Sequence, residues 1–147
     1  MNRGGLPEVT IYTDGACNPN PGRGGWAALI FTPKGKLEIS GREAESTNNR
    51  MEMTAAIRAL KSLKQPSAVI IFTDSQYLQK GIEEWLSKWI SKGWRTTSGK
   101  VANRDLWEDL LEACKPHQVT WRWLKGHAGD LNNSRVDALA RKARYRV

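Results

Sequence analysis

Four acidic residues stand where a folded chain can gather them into one reactive centre. Asp14 closes the segment Val9-Thr10-Ile11-Tyr12-Thr13-Asp14, and Asp74 closes Ala68-Val69-Ile70-Ile71-Phe72-Thr73-Asp74. Glu52 and Asp137 each stand one place from an apolar position of a helical pattern, beside Met53 and Val136. Singly, each has an ordinary reading: an aspartate at a strand end forms turns and caps, and a helical glutamate is solvated. Together they pool four negative charges, which is costly unless protons or cations neutralise them. Oxygen ligands without Cys or His favour Mg²⁺ or Mn²⁺ over zinc. Four carboxylates balance two divalent ions, and two such ions roughly 3.5–4 Å apart can hold both the attacking and the leaving oxygen of a phosphodiester.

The elements that must position these acids follow from periodicity. Residues 9–14 alternate apolar and polar side chains, as a half-buried strand does. After the turn-rich stretch 15–25, Trp26–Phe31 and Lys36–Ser40 flank Pro33-Lys34-Gly35, a hairpin signal. The period then changes. Ser46 or Thr47 caps a helix with Met53, Ile57, Leu60 and Lys64 on one stripe, ended by Gln65-Pro66. The short β-branched run Ala68–Phe72 suits a central strand covered on both faces. Helical stretches follow around 76–91 and 104–114, then a strand over 119–124 and a final helix carrying Val136, Leu139, Ala140 and Ala143. This order predicts an α/β fold, a mixed five-stranded sheet of three antiparallel and two parallel strands, with helices on both faces. Ligands of open α/β sheets bind beyond the carboxyl ends of the strands, where Asp14 and Asp74 stand.

The chain has 147 residues, which fits one domain over 1–147, with a basic, Trp-rich insertion at about 82–104. Lys and Arg number 23 against 15 Asp and Glu, a formal net charge of +8, so a polyanionic partner such as nucleic acid is expected. No apolar run is long enough to cross a membrane, and no signal peptide is visible. A monomer in the cytoplasm, with Cys17 and Cys114 reduced, is the expectation. Cys114 and His117 have a ligand-like gap but no second pair nearby, so a zinc site is set aside, and His117 is read as structural or solvated. Gly22-x-Gly24-x-x-Ala27 imitates a dinucleotide fingerprint, but it leads into a strand rather than a helix.

The motifs around the acids carry a family resemblance. Tyr12-Thr13-Asp14-Gly15-Ala16-Cys17 with Asn20-Pro21-Gly22 and Gly24-Gly25-Trp26 resembles the opening motif of type 1 ribonuclease H. Ser46-Thr47-Asn48-Asn49-Arg50-Met51-Glu52 resembles its second motif, and Thr73-Asp74-Ser75-Gln76-Tyr77 its third. Lys125-Gly126-His127-Ala128-Gly129 and Asp137-Ala138-Leu139-Ala140 resemble its fourth. The motifs occur in family order and span nearly the whole chain. The resemblance implies the ribonuclease H-like fold and hydrolysis of the RNA strand of RNA–DNA hybrids with Mg²⁺, leaving 5′-phosphate and 3′-hydroxyl ends. Asp14, Glu52, Asp74 and Asp137 match the metal-binding catalytic acids, and His127 matches a proton-shuttling histidine. One departure stands out: the family often has Asn-Glu before the last acid, whereas here Asn133 is followed by Ser134, so one carboxylate near the metal centre is missing.

For the substrate, the resemblance implies minor-groove contacts from Asn20, Asn48 and Gln76, where an RNA strand displays its 2′-hydroxyls. Cys17 and Asn49 are neighbouring candidates. Thr47 at a helix start is a candidate for a DNA phosphate, beside its capping role. In the insertion, Lys88, Lys92 and Arg95 are expected to meet phosphates, and Trp85 or Trp94 to pack on a deoxyribose, although most of these tryptophans serve as core for the protruding helices. Two rivals remain at this point: a duplex-binding module without chemistry, and a DNA-directed nuclease or strand-transfer domain of the same architecture.

Overall fold

The computed structural model describes residues 5–96, 99–125 and 130–145. Three strands, β1 (Glu8–Cys17), β2 (Gly22–Thr32) and β3 (Gly35–Ser46), form an antiparallel meander. Helix α1 (Asn48–Lys61) crosses to β4 (Ala68–Thr73), which pairs parallel with β1. Next come α2 (Gln76–Lys80), a π-helical turn over Gly81–Trp85, α3 (Leu86–Ser91), the short hairpin strands β5 (Arg95–Thr96) and β6 (Gly99–Lys100), and α4 (Arg104–Cys114). Strand β7 (Gln118–Trp123) pairs parallel with β4, and α5 (Leu131–Ala143) follows. The five-stranded sheet runs β3-β2-β1-β4-β7.

Strand alternation sends side chains to two cores. Val9, Ile11, Ala28, Ile30, Val69 and Ile71 pack against Met53, Ile57 and Leu60 of α1 and against Trp107 and Leu110 of α4. Ala27 and Leu29, with Tyr12 and Phe31, pack against Val136, Leu139 and Ala140 of α5 on the opposite face. The expected mixed sheet with helices on both faces is therefore present.

Several boundaries differ from the sequence expectation, among them the start of β2, which lies at Gly22 rather than Trp26. Strand β1 does not close at Asp14 but runs to Cys17, because β2 pairs with it as far as Cys17↔Gly24. Strand β3 extends to Ser46; as a sheet edge it is mostly exposed, so it lacks the apolar alternation that marks a buried strand. Helix α1 ends at Lys61, before Gln65-Pro66, and Lys64 is exposed off the stripe. The stretch 76–91 is not one helix. Its π-helical turn begins at Gly81, where a Cβ would lie 2.0 Å from Trp107 Cη2, so the backbone is pressed directly onto the indole of α4.

Candidate active site

Three strand-to-helix steps set the acids. The parallel ladder between β1 and β4 stops at Tyr12↔Phe72. Beyond that point β1 pairs only with β2 on one side, and Asp14 and Asp74 emerge from neighbouring strands. Thr47 caps α1, its Oγ1 accepting the Arg50 N–H at 3.1 Å, which fixes the helix whose second turn carries Glu52. Of the two candidate caps, it is Thr47 rather than Ser46. Ser75 caps α2, accepting the Leu78 N–H at 3.2 Å directly after Asp74. Asp130 caps α5, accepting the Asn133 N–H at 2.9 Å, and aligns the helix that bears Asp137.

Asp14, Glu52 and Asp74 each bring one carboxylate oxygen to within 4.8 Å of the others. Asp137 lines the same open depression of about 420 Å³, together with Asn48, Asn49, Gln76 and Tyr77, and its carboxyl reaches that of Asp14. Asp14 and Glu52 are 6% and 8% exposed, too buried for bulk water to offset their charge. Burial is the largest cause pushing Asp14 up to about 7, with further upward pushes from Asp137 and Asp74. Glu52 is likewise raised well above the usual carboxylate range, by burial first and then by Asp14, so the pair resists carrying two negative charges at once. One backbone group pulls the other way: the Gly15 N–H donates to Glu52 Oε1 at 2.6 Å. That bond depends on glycine, since a Cβ on Gly15 would lie 2.4 Å from Met51 C and 2.6 Å from Glu52 N. Glu52 Oε2 is buried and has no N–H or O–H donor among the described residues. A buried, donorless carboxylate oxygen facing other carboxylates is the environment a hard divalent cation completes.

The RNase H family model matches residues 7–145. Ribonuclease H of Cupriavidus necator is 53% identical over 138 residues, 93% of this chain and 95% of the relative. Ribonuclease H of Phenylobacterium zucineum is 56% identical over 137 residues, 92% of this chain and 90% of the relative. The chain belongs to the RNase H family. Among solved structures, LC9-RNase H1, a type 1 RNase H with the type 2 active-site motif, matches with a TM-score of 0.85 at 32% identity, over 95% of this chain and 72% of that one. LC11-RNase H1, solved in complex with RNA/DNA hybrid, shares the fold with a TM-score of 0.71 at 22% identity, over 92% and 95%.

The remaining candidates of this RNase H chain fall into three groups. Asn48, Asn49 and Gln76 line the acidic depression. Asn20 is tied to them: its Oδ1 accepts the Asn48 N–H at 3.0 Å, while Asn48 Oδ1 accepts the Cys17 N–H at 2.7 Å. The Cys17 thiol is itself buried among Met51 and Gly24, so the residue offers its backbone rather than its sulfur. In the insertion, Lys88, Lys92 and Arg95 are exposed and are not among the residues that line the acidic depression. Trp85 and Trp94 are half-buried in an aromatic cluster with Trp89, at ring separations of 5.6 and 6.5 Å, and Arg104 covers one side of Trp94 at 5.3 Å. His127 lies outside the described residues. His117 is structural, its Nδ1 accepting the Ser67 N–H at 3.1 Å.

Two features escape motif reading. Gly15 supplies a donor through its backbone, which has no residue-type signature. Arg50 pairs with Asp105 through two bonds of 3.0 and 2.8 Å and also donates to Asn103 Oδ1 at 3.2 Å. Asn103 in turn donates to the Tyr77 hydroxyl at 3.0 Å, next to Gln76. The network ties α1, α2 and α4 together around the depression, and its partners are more than 25 residues apart in sequence.

Proposed function

We propose that this chain hydrolyses the RNA strand of RNA–DNA hybrids, using divalent cations held by Asp14, Glu52, Asp74 and Asp137. The observation that carries the reading is the meeting of acids from separate elements in one open depression of a chain of this family with net charge +8. The donor set is all oxygen, and the donorless Glu52 Oε2 fits a hard ion, so Mg²⁺ is the assigned cofactor and Mn²⁺ its substitute. Divalent ions held by these four carboxylates would supply Lewis-acid stabilisation to the scissile phosphodiester.

The chain's own groups do the rest. The Gly15 N–H holds Glu52 in place. Asn20 is fixed by the Asn48 N–H through its Oδ1, which leaves its amide NH₂ to donate to a ribose 2′-hydroxyl in the minor groove. Asn48 and Gln76 flank the acids and read the same groove. Thr47 stands at the α1 N-terminus for a DNA phosphate, with Cys17 and Asn49 beside it. Lys88, Lys92 and Arg95 hold phosphates further along the duplex, and the uncovered sides of Trp85 and Trp94 pack on sugars. His127 carries a proton during hydrolysis, and the products are 5′-phosphate and 3′-hydroxyl ends. We place the protein in the cytoplasm as a monomer, a reading supported by two free thiols.

Hybrid, double-stranded RNA and double-stranded DNA compared in one cleavage assay with Mg²⁺ test this reading. Cleavage of the hybrid alone, in its RNA strand, is the expected result. Cleavage of the DNA duplex, or binding with no product under Mg²⁺ or Mn²⁺, overturns it.

A further inference from the structure

Asp137 differs from the other three acids in its company. Asp14, Glu52 and Asp74 form the tight cluster, whereas Asp137 Oδ2 accepts from the Arg141 guanidinium at 3.1 Å, one helical turn further along α5. The Asp137 side chain is 24% exposed, and that of Arg141 is 59% exposed. The acid therefore faces the depression on one side and a fixed cation on the other. Ser134 stands on the preceding turn of α5, and the other cations there, Lys142 and Arg135, are exposed, with Arg135 committed to Glu38 at 3.0 Å.

We infer that Arg141 is a positioning residue that sets the affinity of the divalent-ion centre on its Asp137 side, by competing with the ion for the Asp137 carboxylate. This rests on the reading of the four acids as metal ligands. An ion that binds Asp137 must either displace the guanidinium from Oδ2 or share the carboxylate with it. Either course weakens the ion's hold by the attraction between Arg141 and Asp137, and by repulsion between guanidinium and ion. Because the pair is half exposed, screening keeps the effect moderate, about three- to tenfold in affinity.

The test is Mg²⁺ and Mn²⁺ binding measured by calorimetry on the full chain without nucleic acid, for wild type, Arg141→Gln and Arg141→Lys, each also combined with Asp137→Asn. Arg141→Gln is expected to bind the ion three- to tenfold more tightly, Arg141→Lys to stay near wild type, and Arg141→Gln to have no effect once Asp137 is Asn. The Mg²⁺ concentration giving half-maximal hybrid cleavage should fall in parallel. Unchanged or weaker binding in Arg141→Gln overturns the inference, as does an equal gain in the Asp137→Asn background, which would make the effect a general field. Thermal melting confirms that each variant is folded. Failure of the wild-type chain to cleave hybrid overturns the functional reading instead, so the two failures are distinguishable.

Discussion

At the scale of single residues, the site is a stack of unfavourable charges that a cation relieves. Asp14 sits at about 7, so without a bound cation it changes charge near neutral pH. A carboxyl whose folded value lies above its unfolded value of 3.8 binds its proton more readily in the folded state. Stability from this group is therefore present at low pH and lost as pH rises toward 7. Thermal melting in chelator should show the fold weakening between pH 5 and pH 8 by on the order of a few kcal/mol, with Glu52 pulling in the same direction. Added Mg²⁺ should restore the loss at pH 8, and Asp14→Asn should flatten the profile. A chelated protein that gains stability across that range contradicts this electrostatic account. That the acids could converge was legible because Asp14 and Asp74 follow strand-like stretches and Glu52 and Asp137 stand beside apolar positions of helical stripes. Their coupling was not, since burial is a property of the packed chain.

At the scale of elements, the site depends on how closely β1 approaches α1. Gly15 permits that approach, and its N–H reaches Glu52 only because no side chain intervenes. Gly15→Ala should cost about 3 kcal/mol by denaturant unfolding, and cleavage should fall more steeply than hybrid binding. Retained activity with unchanged stability would show that the contact relaxes freely. The turn chemistry of the Gly15–Gly25 region was readable as a break in pattern. That β1 runs through Asp14 to Cys17 was not, because pairing with Gly-rich β2 leaves no apolar alternation to see. The insertion was legible as basic and aromatic, but its π-helical turn and its hairpin β5–β6 arise from packing on Trp107 and from a two-residue pairing, both beneath the resolution of periodicity. Neutralising Lys88, Lys92 and Arg95 together should weaken hybrid binding and lower the slope of log K against log salt by about 3. An unchanged slope removes the insertion from the binding surface.

At the scale of the whole molecule, one arrangement serves both cohesion and function. Helices α1 and α4 on one face and α5 on the other bury the sheet, and the same helices deliver Glu52 and Asp137 to the ends of β1 and β4. The mixed sheet of three antiparallel and two parallel strands was legible because a hairpin-linked meander followed by helical crossovers admits few topologies. Long-range ties such as Arg50–Asp105 were not, because ion pairs between distant segments leave no pattern in one chain. The most direct test uses a hybrid labelled on either strand, incubated with Mg²⁺ and wild type or Asp14→Asn. Wild type should release RNA fragments with 5′-phosphate ends and leave the DNA intact, while Asp14→Asn should bind the duplex and release nothing. Cleavage by Asp14→Asn at the wild-type rate would contradict the account at its centre.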